Sequence, residues 1–388
     1  MPYWRLSLLY FFYFGIVGAI SPFWALYLQH RGFSPFYIGV IAAIPYVLKL
    51  VMPTFWGHVA DSSGRFSAVI QLGCFGTALG FLGVVLSNSA LTLILSLLVY
   101  SFFWNAILSQ VDSVTLSHLG ARAEKYSQVR LWGSIGFVCL VFVLGYLFDR
   151  ISIAYLPLVM LSLAVFLFFT SFSLNDRDRP AVAASEEEPS RLISIITAPD
   201  VMMFFAVCFL LQVSLGAYYV FYSIYLETVG YNRIEIGVFW VLGVAAEIVM
   251  FVFMHRVFKR VTLYWLMVLC LALTALRWTG TALFVEHWFI LAILQLLHAF
   301  TFAIAHAVGV EFVRKRFGKA MSARGQAMFN TVNYGAGAIA GATLSGALWS
   351  VSGSLAFFAS SVVVVLALVL FTVGFRGQVL WNETSPRK

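Results

Sequence analysis

Twelve apolar runs dominate the chain. Short polar breaks separate them, and each is long enough to cross a bilayer core as a helix of roughly 20 residues. They cover about 6–29, 36–59, 67–86, 91–117, 128–149, 153–173, 200–226, 234–256, 262–284, 287–312, 322–350 and 354–375. The longest polar segment, NDRDRPAVAASEEEPSR at 175–191, is rich in charge, Pro, Ala and Ser and reads as a flexible linker. It parts the runs six and six. The pattern predicts an all-α membrane protein with twelve transmembrane helices in two pseudo-symmetric six-helix bundles. The N-terminal bundle would cover 1–174, the cytoplasmic linker 175–199 and the C-terminal bundle 200–388.

Composition sharpens this. Of the 388 residues, 62% are hydrophobic and only 10% charged, against about 25% charged in soluble domains. The 24 Lys and Arg are strongly sorted. Eighteen fall on the side of the N-terminus, three (Arg31, Arg150, Arg233) on the other, and Lys49, Arg130 and Arg277 lie within spans. Positive residues accumulate on the cytoplasmic side, so both termini are expected in the cytoplasm and the chain in a bacterial inner membrane. The net charge of +8 then follows from topology and calls for no nucleic acid. The expected surroundings are the lipid bilayer, and the expected state is a monomer. The first apolar run is too long for a signal-peptide core. Cys74, Cys139, Cys208 and Cys270 fall in apolar segments without metal-ligand or redox spacing.

Ionisable groups inside a membrane are costly and by default mark a functional path. Here they are Lys49, Asp112, Arg130, Glu247, Arg277, His298 and His306. Gln212, Gln295, Asn330 and Asn333 add uncharged polarity, and Tyr218, Tyr219, Tyr222 and Tyr225 form a row in the seventh run. Asp112 and Arg130, eighteen residues apart on consecutive runs, should reach similar depth, as an ion pair at a binding site or as a structural bridge. Glu247 suits a proton carrier, because burial favours its neutral form; its alternative role is counter-ion to Arg277. Lys49 is a ligand contact or a side chain reaching toward the cytoplasm. His298 and His306 differ by a rise of about 12 Å and an offset of roughly 80° on an α-helix. They can line one cavity at different depths and relay protons near neutral pH, but not share a metal; no metal site is expected.

GHVADSSGR, between the second and third runs, fits the G-x-x-x-D-x-x-G-R loop of the major facilitator superfamily, which the six-plus-six layout also resembles. The resemblance implies a gating loop built on Gly57, Asp61, Gly64 and Arg65, its glycines permitting a tight turn. In the eleventh run NYGAGAIAGATLSGALW offers a small-residue face for close helix packing.

Within the superfamily, NAILSQVDSVTLSH followed by VRLWGSIGF resembles the oligosaccharide:proton symporter branch, the lactose permease group. There, an acid on helix 4 and an arginine on helix 5 form the sugar site; Asp112 and Arg130 match them. LRWTG places Arg277, and LQLLHAF places His298, on that branch's helix 9 arginine and helix 10 histidine. The branch's helix 10 glutamate, helix 7 aspartate and helix 11 lysine are here Thr301, Tyr222 and Tyr334. LQVSLGAYYVFYSIYLETVGY, VLGVAAEIVMFVF and LHAFTFAIAHAVGV are similar to the 3-phenylpropionate permease subfamily, which carries Glu247, Arg277, His298 and His306 at matching positions and a cation at the Lys49 position.

The resemblance implies proton-coupled symport of a small aromatic carboxylate by alternating access, with no cofactor beyond the proton gradient. A carboxylate needs a cation, and arginine pairs with it in a bidentate way. A phenyl ring needs aromatic walls, for which Tyr218, Tyr219, Tyr222, Trp132 and Trp240 are candidates. The expected binding set is Asp112, Arg130, Arg277, Lys49, Tyr219 and Tyr222; the expected coupling set is Glu247, His298 and His306. A sugar or nucleoside permease, or an efflux antiporter on the same fold, is the alternative. No HExxH, GxSxG or nucleotide-binding loop points to an enzyme or a primary pump.

Overall fold

The computed structural model describes residues 3–120, 125–174 and 189–376, the side chains of 189–191 and 319–320 excepted. Arg122 and most of the expected linker, 175–188, lie outside these residues. Among the described residues every regular element is helical. Eleven helices are long and apolar enough to cross a membrane: α1 (Tyr3–His30), α2 (Pro35–Ser63), α3 (Phe66–Leu86), α4 (Ala90–Leu119), α5 (Tyr126–Phe148), α6 (Ile153–Ser171), α7 (Pro199–Thr228), α8 (Arg233–Arg260), α9 (Leu263–Phe284), α10 (Trp288–Gly318) and α12 (Gly353–Phe375). Between α10 and α12 lies a further helix, α11 (319–349). It carries the expected eleventh span, 322–350, and does not join the eleven, because Gly, Ser and Asn residues dilute its apolar character. A short helix, Pro189–Ile196, precedes α7.

Local sequence sets these boundaries. Ser89, Thr262 and Ser352 each accept a hydrogen bond from a backbone N–H of the first turn of α4, α9 and α12, satisfying a donor that a helix start leaves open. Gly318, with φ +69° and ψ 177°, parts α10 from α11. The expected gating loop is mostly helix. Met52–Ser63 is α-helical, so Gly57 and Asp61 lie on α2, and the turn falls on Gly64, at φ +67°, and Arg65. Hydropathy placed the end of the run early because His58, Asp61, Ser62 and Ser63 are polar while still helical.

The helices gather in two compact units. The first holds α1, α3–α6 and most of α2; the second holds α7, α9–α12 and most of α8. In the first unit α1 lies along α5. A Cβ on Gly18 would sit 2.7 Å from the Phe137 carbonyl oxygen, so the missing side chain is what permits the crossing. In the second unit α12 packs on α7 and α9. Gly341 of α11 presses on α7, where a Cβ would lie 2.6 Å from the Val213 carbonyl oxygen.

Several helices are interrupted where the polar residues sit. α2 breaks between Lys49 and Met52, just before Pro53, which has no N–H to donate. α4 breaks at Asn105, whose side-chain amide donates to the Ser101 carbonyl. In the second unit α7, α10 and α11 each widen into π-helix, at Ala217–Phe221, Ala299–Ile304 and Thr331–Gly337. Such turns often accompany functional sites. These three carry Tyr218, Phe302 and Tyr334.

Candidate functional site

The two units each hold one polar cluster. In the second, Arg277 of α9 is wholly buried. Its NH1 contacts Nδ1 of His298 at 3.0 Å, and its NH2 donates to Oε1 of Gln295 at 2.9 Å. Gln295 and His298 stand three residues apart on α10, a spacing that puts both on one helix face. Gln295 donates in turn to the Tyr222 hydroxyl at 2.6 Å and accepts from Tyr218 at 3.3 Å. The guanidinium carbon lies 4.3 Å from the Tyr218 ring centre and 4.7 Å from that of Trp278. A buried cation is thus held by neutral acceptors and aromatic faces, and its Nε has no hydrogen-bond partner among the described residues.

Glu247 of α8 completes this cluster. Its carboxylate lies 3.6 Å from Nε2 of His298. The expected choice between proton carrier and counter-ion to Arg277 takes a different form: the imidazole stands between acid and guanidinium. On α10 the Phe302 ring stacks between His298 (5.8 Å, 17°) and His306 (6.2 Å, 5°). The π turns of Ala299–Ile304 unwind the helix between the two histidines and reduce the offset expected of a regular α-helix. Nδ1 of His306 meets the Tyr334 hydroxyl of α11 at 2.8 Å. Tyr219 is half-buried with its ring 6.4 Å from that of Trp240, and Trp240 donates to Ser223.

The first unit holds Asp112 of α4 and Arg130 of α5, without the expected ion pair. Oδ1 of Asp112 accepts two phenol hydroxyls, from Tyr10 at 2.6 Å and from Tyr126 at 2.8 Å. Arg130 lies over the Phe14 ring, 3.7 Å from its centre, and 5.6 Å from that of Tyr10. Among the described residues it has no hydrogen-bond acceptor and no acid at ion-pair distance. Gly133, one turn on, makes room: a Cβ there would fall 2.6 Å from both the Arg130 NH1 and the Phe14 ring. Lys49 is exposed, at the end of the first segment of α2. Asp61 and Arg65 are exposed, and no described residue pairs with Asp61.

Tyr10, Phe14, Tyr126 and Gly133 carry no signal in the sequence as site residues, because the acid and base they serve lie on other helices or across a turn. Gln295 was legible only as uncharged polarity; its spacing from His298 is the signal that marks it. Among the described residues no group of three His, Cys, Asp or Glu is placed to hold a metal.

A model of the MFS_1 like family matches residues 3–360. The chain belongs to this family. Its relatives include a probable 3-phenylpropionic acid transporter of Escherichia coli, 26% identical, covering 94% of this chain and 96% of the relative. A maltose permease of Geobacillus stearothermophilus is 24% identical over 94% of this chain and 93% of its own. Among solved structures, a mutant of the nucleoside transporter NupG superposes with a TM-score of 0.88 at 17% identity, covering 96% of this chain and all of that one. That last likeness shows the fold alone. The resemblance to the major facilitator superfamily and its 3-phenylpropionate-like branch holds, and the chain is a multi-pass membrane transporter, not an enzyme.

Proposed function

We propose that this transporter imports a small aromatic carboxylate with protons across the bacterial inner membrane, by alternating access of bundles 1–174 and 200–388 joined by the linker 175–199. In this reading it is a monomer with both termini in the cytoplasm, and the proton gradient is its only driving agent. Arg130 carries the proposal. A guanidinium within a membrane-spanning helix, with no acid partner among the described residues, needs an anion. The acid expected to neutralise it is engaged by two tyrosines. The Phe14 and Tyr10 rings beside it suit a phenyl group. The relative named for 3-phenylpropionic acid supports the same class of substrate.

Arg277, Tyr219, Tyr222 and Lys49 complete the proposed binding set; Glu247, His298 and His306 the proton path. Gly57, Asp61, Gly64 and Arg65 are the proposed gate. One observation favours the alternative of a sugar or nucleoside: Oδ2 of Asp112 has no partner among the described residues and can accept a substrate hydroxyl. Efflux on the same fold is the reading in which the proton and the substrate cross in opposite directions. Uptake of labelled 3-phenylpropionate into proteoliposomes, beside a labelled galactoside, decides among them. Gradient-stimulated uptake of the acid alone supports the proposal. Uptake of the galactoside alone makes the Asp112 cluster a sugar site, and an outward gradient requirement makes the protein an antiporter.

A further inference from the structure

Arginine has no acceptor, so NH1 of Arg277 can only donate to Nδ1 of His298. That ring nitrogen must therefore be bare. In a neutral imidazole the proton then sits on Nε2, the atom facing Glu247. Arg277 thus fixes the tautomer of His298 and occupies the one nitrogen on which a second proton can land. If that proton arrives, two N–H groups face each other and the contact between them is lost.

We infer that His298 is the switch that couples proton binding to anion binding: a proton on its Nδ1 frees NH1 of Arg277, and that NH1 takes the substrate carboxylate. This rests on the reading of the chain as a proton-driven importer of an organic anion. Protonation turns His298 into an imidazolium whose Nε2–H points at the Glu247 carboxylate, so the new charge has its counter-ion in place. Arg277 then has NH1 without an acceptor in addition to Nε, which lacks one already among the described residues. A buried cation so deprived is costly, and an incoming carboxylate restores its hydrogen bonds. Without the proton, His298 competes with the substrate for NH1. Proton and anion therefore favour each other's binding, as linkage requires of a symporter.

The surroundings isolate this step. The groups facing His298 are Arg277 from α9, Glu247 from α8, and the Tyr218 ring from α7 at 5.5 Å. Gly243 of α8 faces the ring with no side chain; a Cβ there would rest 3.4 Å away. Along α10 the next titratable group is His306, beyond Phe302, with Tyr334 of α11 against it. Gln295 keeps NH2 of Arg277 in place while NH1 changes partner. Gln295 is in this account a positioning residue.

Two measurements test this. Nitrogen NMR on protein carrying isotope-labelled histidine, with His298 assigned by subtracting the His298→Gln or His298→Asn spectrum, should show bare Nδ1 and protonated Nε2 at high pH. A ring with its proton on Nδ1 overturns the inference and leaves the substrate proposal standing. Binding of 3-phenylpropionate to solubilised wild-type protein should weaken about tenfold per pH unit above the histidine's titration. In His298→Gln, where Oε1 accepts from Arg277 at every pH and no proton binds, affinity should be weak and flat with pH. An unchanged slope in that variant overturns the switch. Absence of binding by wild type at every pH, with the expected tautomer present, refutes the substrate proposal and the anion half of the switch together.

Discussion

Arg277 reaches His298 through Nδ1, and Glu247 reaches the same ring through Nε2, so guanidinium and carboxylate meet only by way of one imidazole. A direct ion pair would bind both charges to each other. The interposed ring instead leaves each free to answer to a proton or to an anion.

Replacing Arg277 by lysine is expected to disable the cluster. One ammonium on a flexible stem cannot serve Gln295 and His298 together or lie against Tyr218 and Trp278 in the same way. Losing a charged hydrogen bond costs about 1.5–3 kcal/mol. Thermal unfolding in detergent should show a lower midpoint, and transport should fall at least tenfold. Wild-type uptake in Arg277→Lys would remove this residue from the mechanism.

Gly133→Ala tests the proposed anion site without touching a charge. The added methyl enters the space shared by the Arg130 NH1 and the Phe14 ring. It should displace the guanidinium and raise the substrate KM about ten- to a hundredfold, the scale of a misplaced contact near a reacting or binding group. Kinetics of uptake against substrate concentration give the answer; an unaltered KM argues that Arg130 does not meet substrate where the structure places it.

Tyr10 and Tyr126 donate to the same oxygen of Asp112. Each Tyr→Phe change should cost about 1–2 kcal/mol, and the double variant should depart from their sum, since the two share a partner. A double-mutant cycle on thermal stability checks this. Additivity would mean that the two phenols stabilise separate things.

Glycine positions divide into two kinds. Gly341→Val drives a branched side chain into the backbone of α7, where even a Cβ would be 2.6 Å from an oxygen. It should abolish assembly of the second unit. Gly57→Ala, where nothing lies within 4 Å, should assemble. Expression and size-exclusion profiles separate them, and a normal profile for Gly341→Val would contradict the packing described.

The apolar runs made the helices legible. Eleven of the expected runs coincide with helices apolar enough to cross a membrane, because hydropathy over some 20 residues reports the same requirement that the bilayer imposes; the run 322–350 coincides with a helix that falls short of it. Two things escaped this reading. The first is backbone registry: the break after Lys49, the break at Asn105 and the π turns before His306 leave hydropathy unchanged while they redirect side chains. The second is partnership between distant helices. Intramembrane cost singled out Arg277, His298 and Glu247, and the structure brings all three together. The same reasoning singled out Asp112 and Arg130 and suggested that they pair, yet Tyr10, more than a hundred positions away, holds the acid instead.

The most direct test of the central claim is proton movement itself. Unlabelled 3-phenylpropionate is added to lightly buffered proteoliposomes with no imposed gradient, and external pH is followed, protein-free vesicles serving to subtract passive entry of the neutral acid. The account predicts a transient alkalinisation above that background, absent in Glu247→Gln and not evoked by a galactoside. Uptake of the acid with no protein-dependent pH change would show transport without coupled protons, and would contradict it.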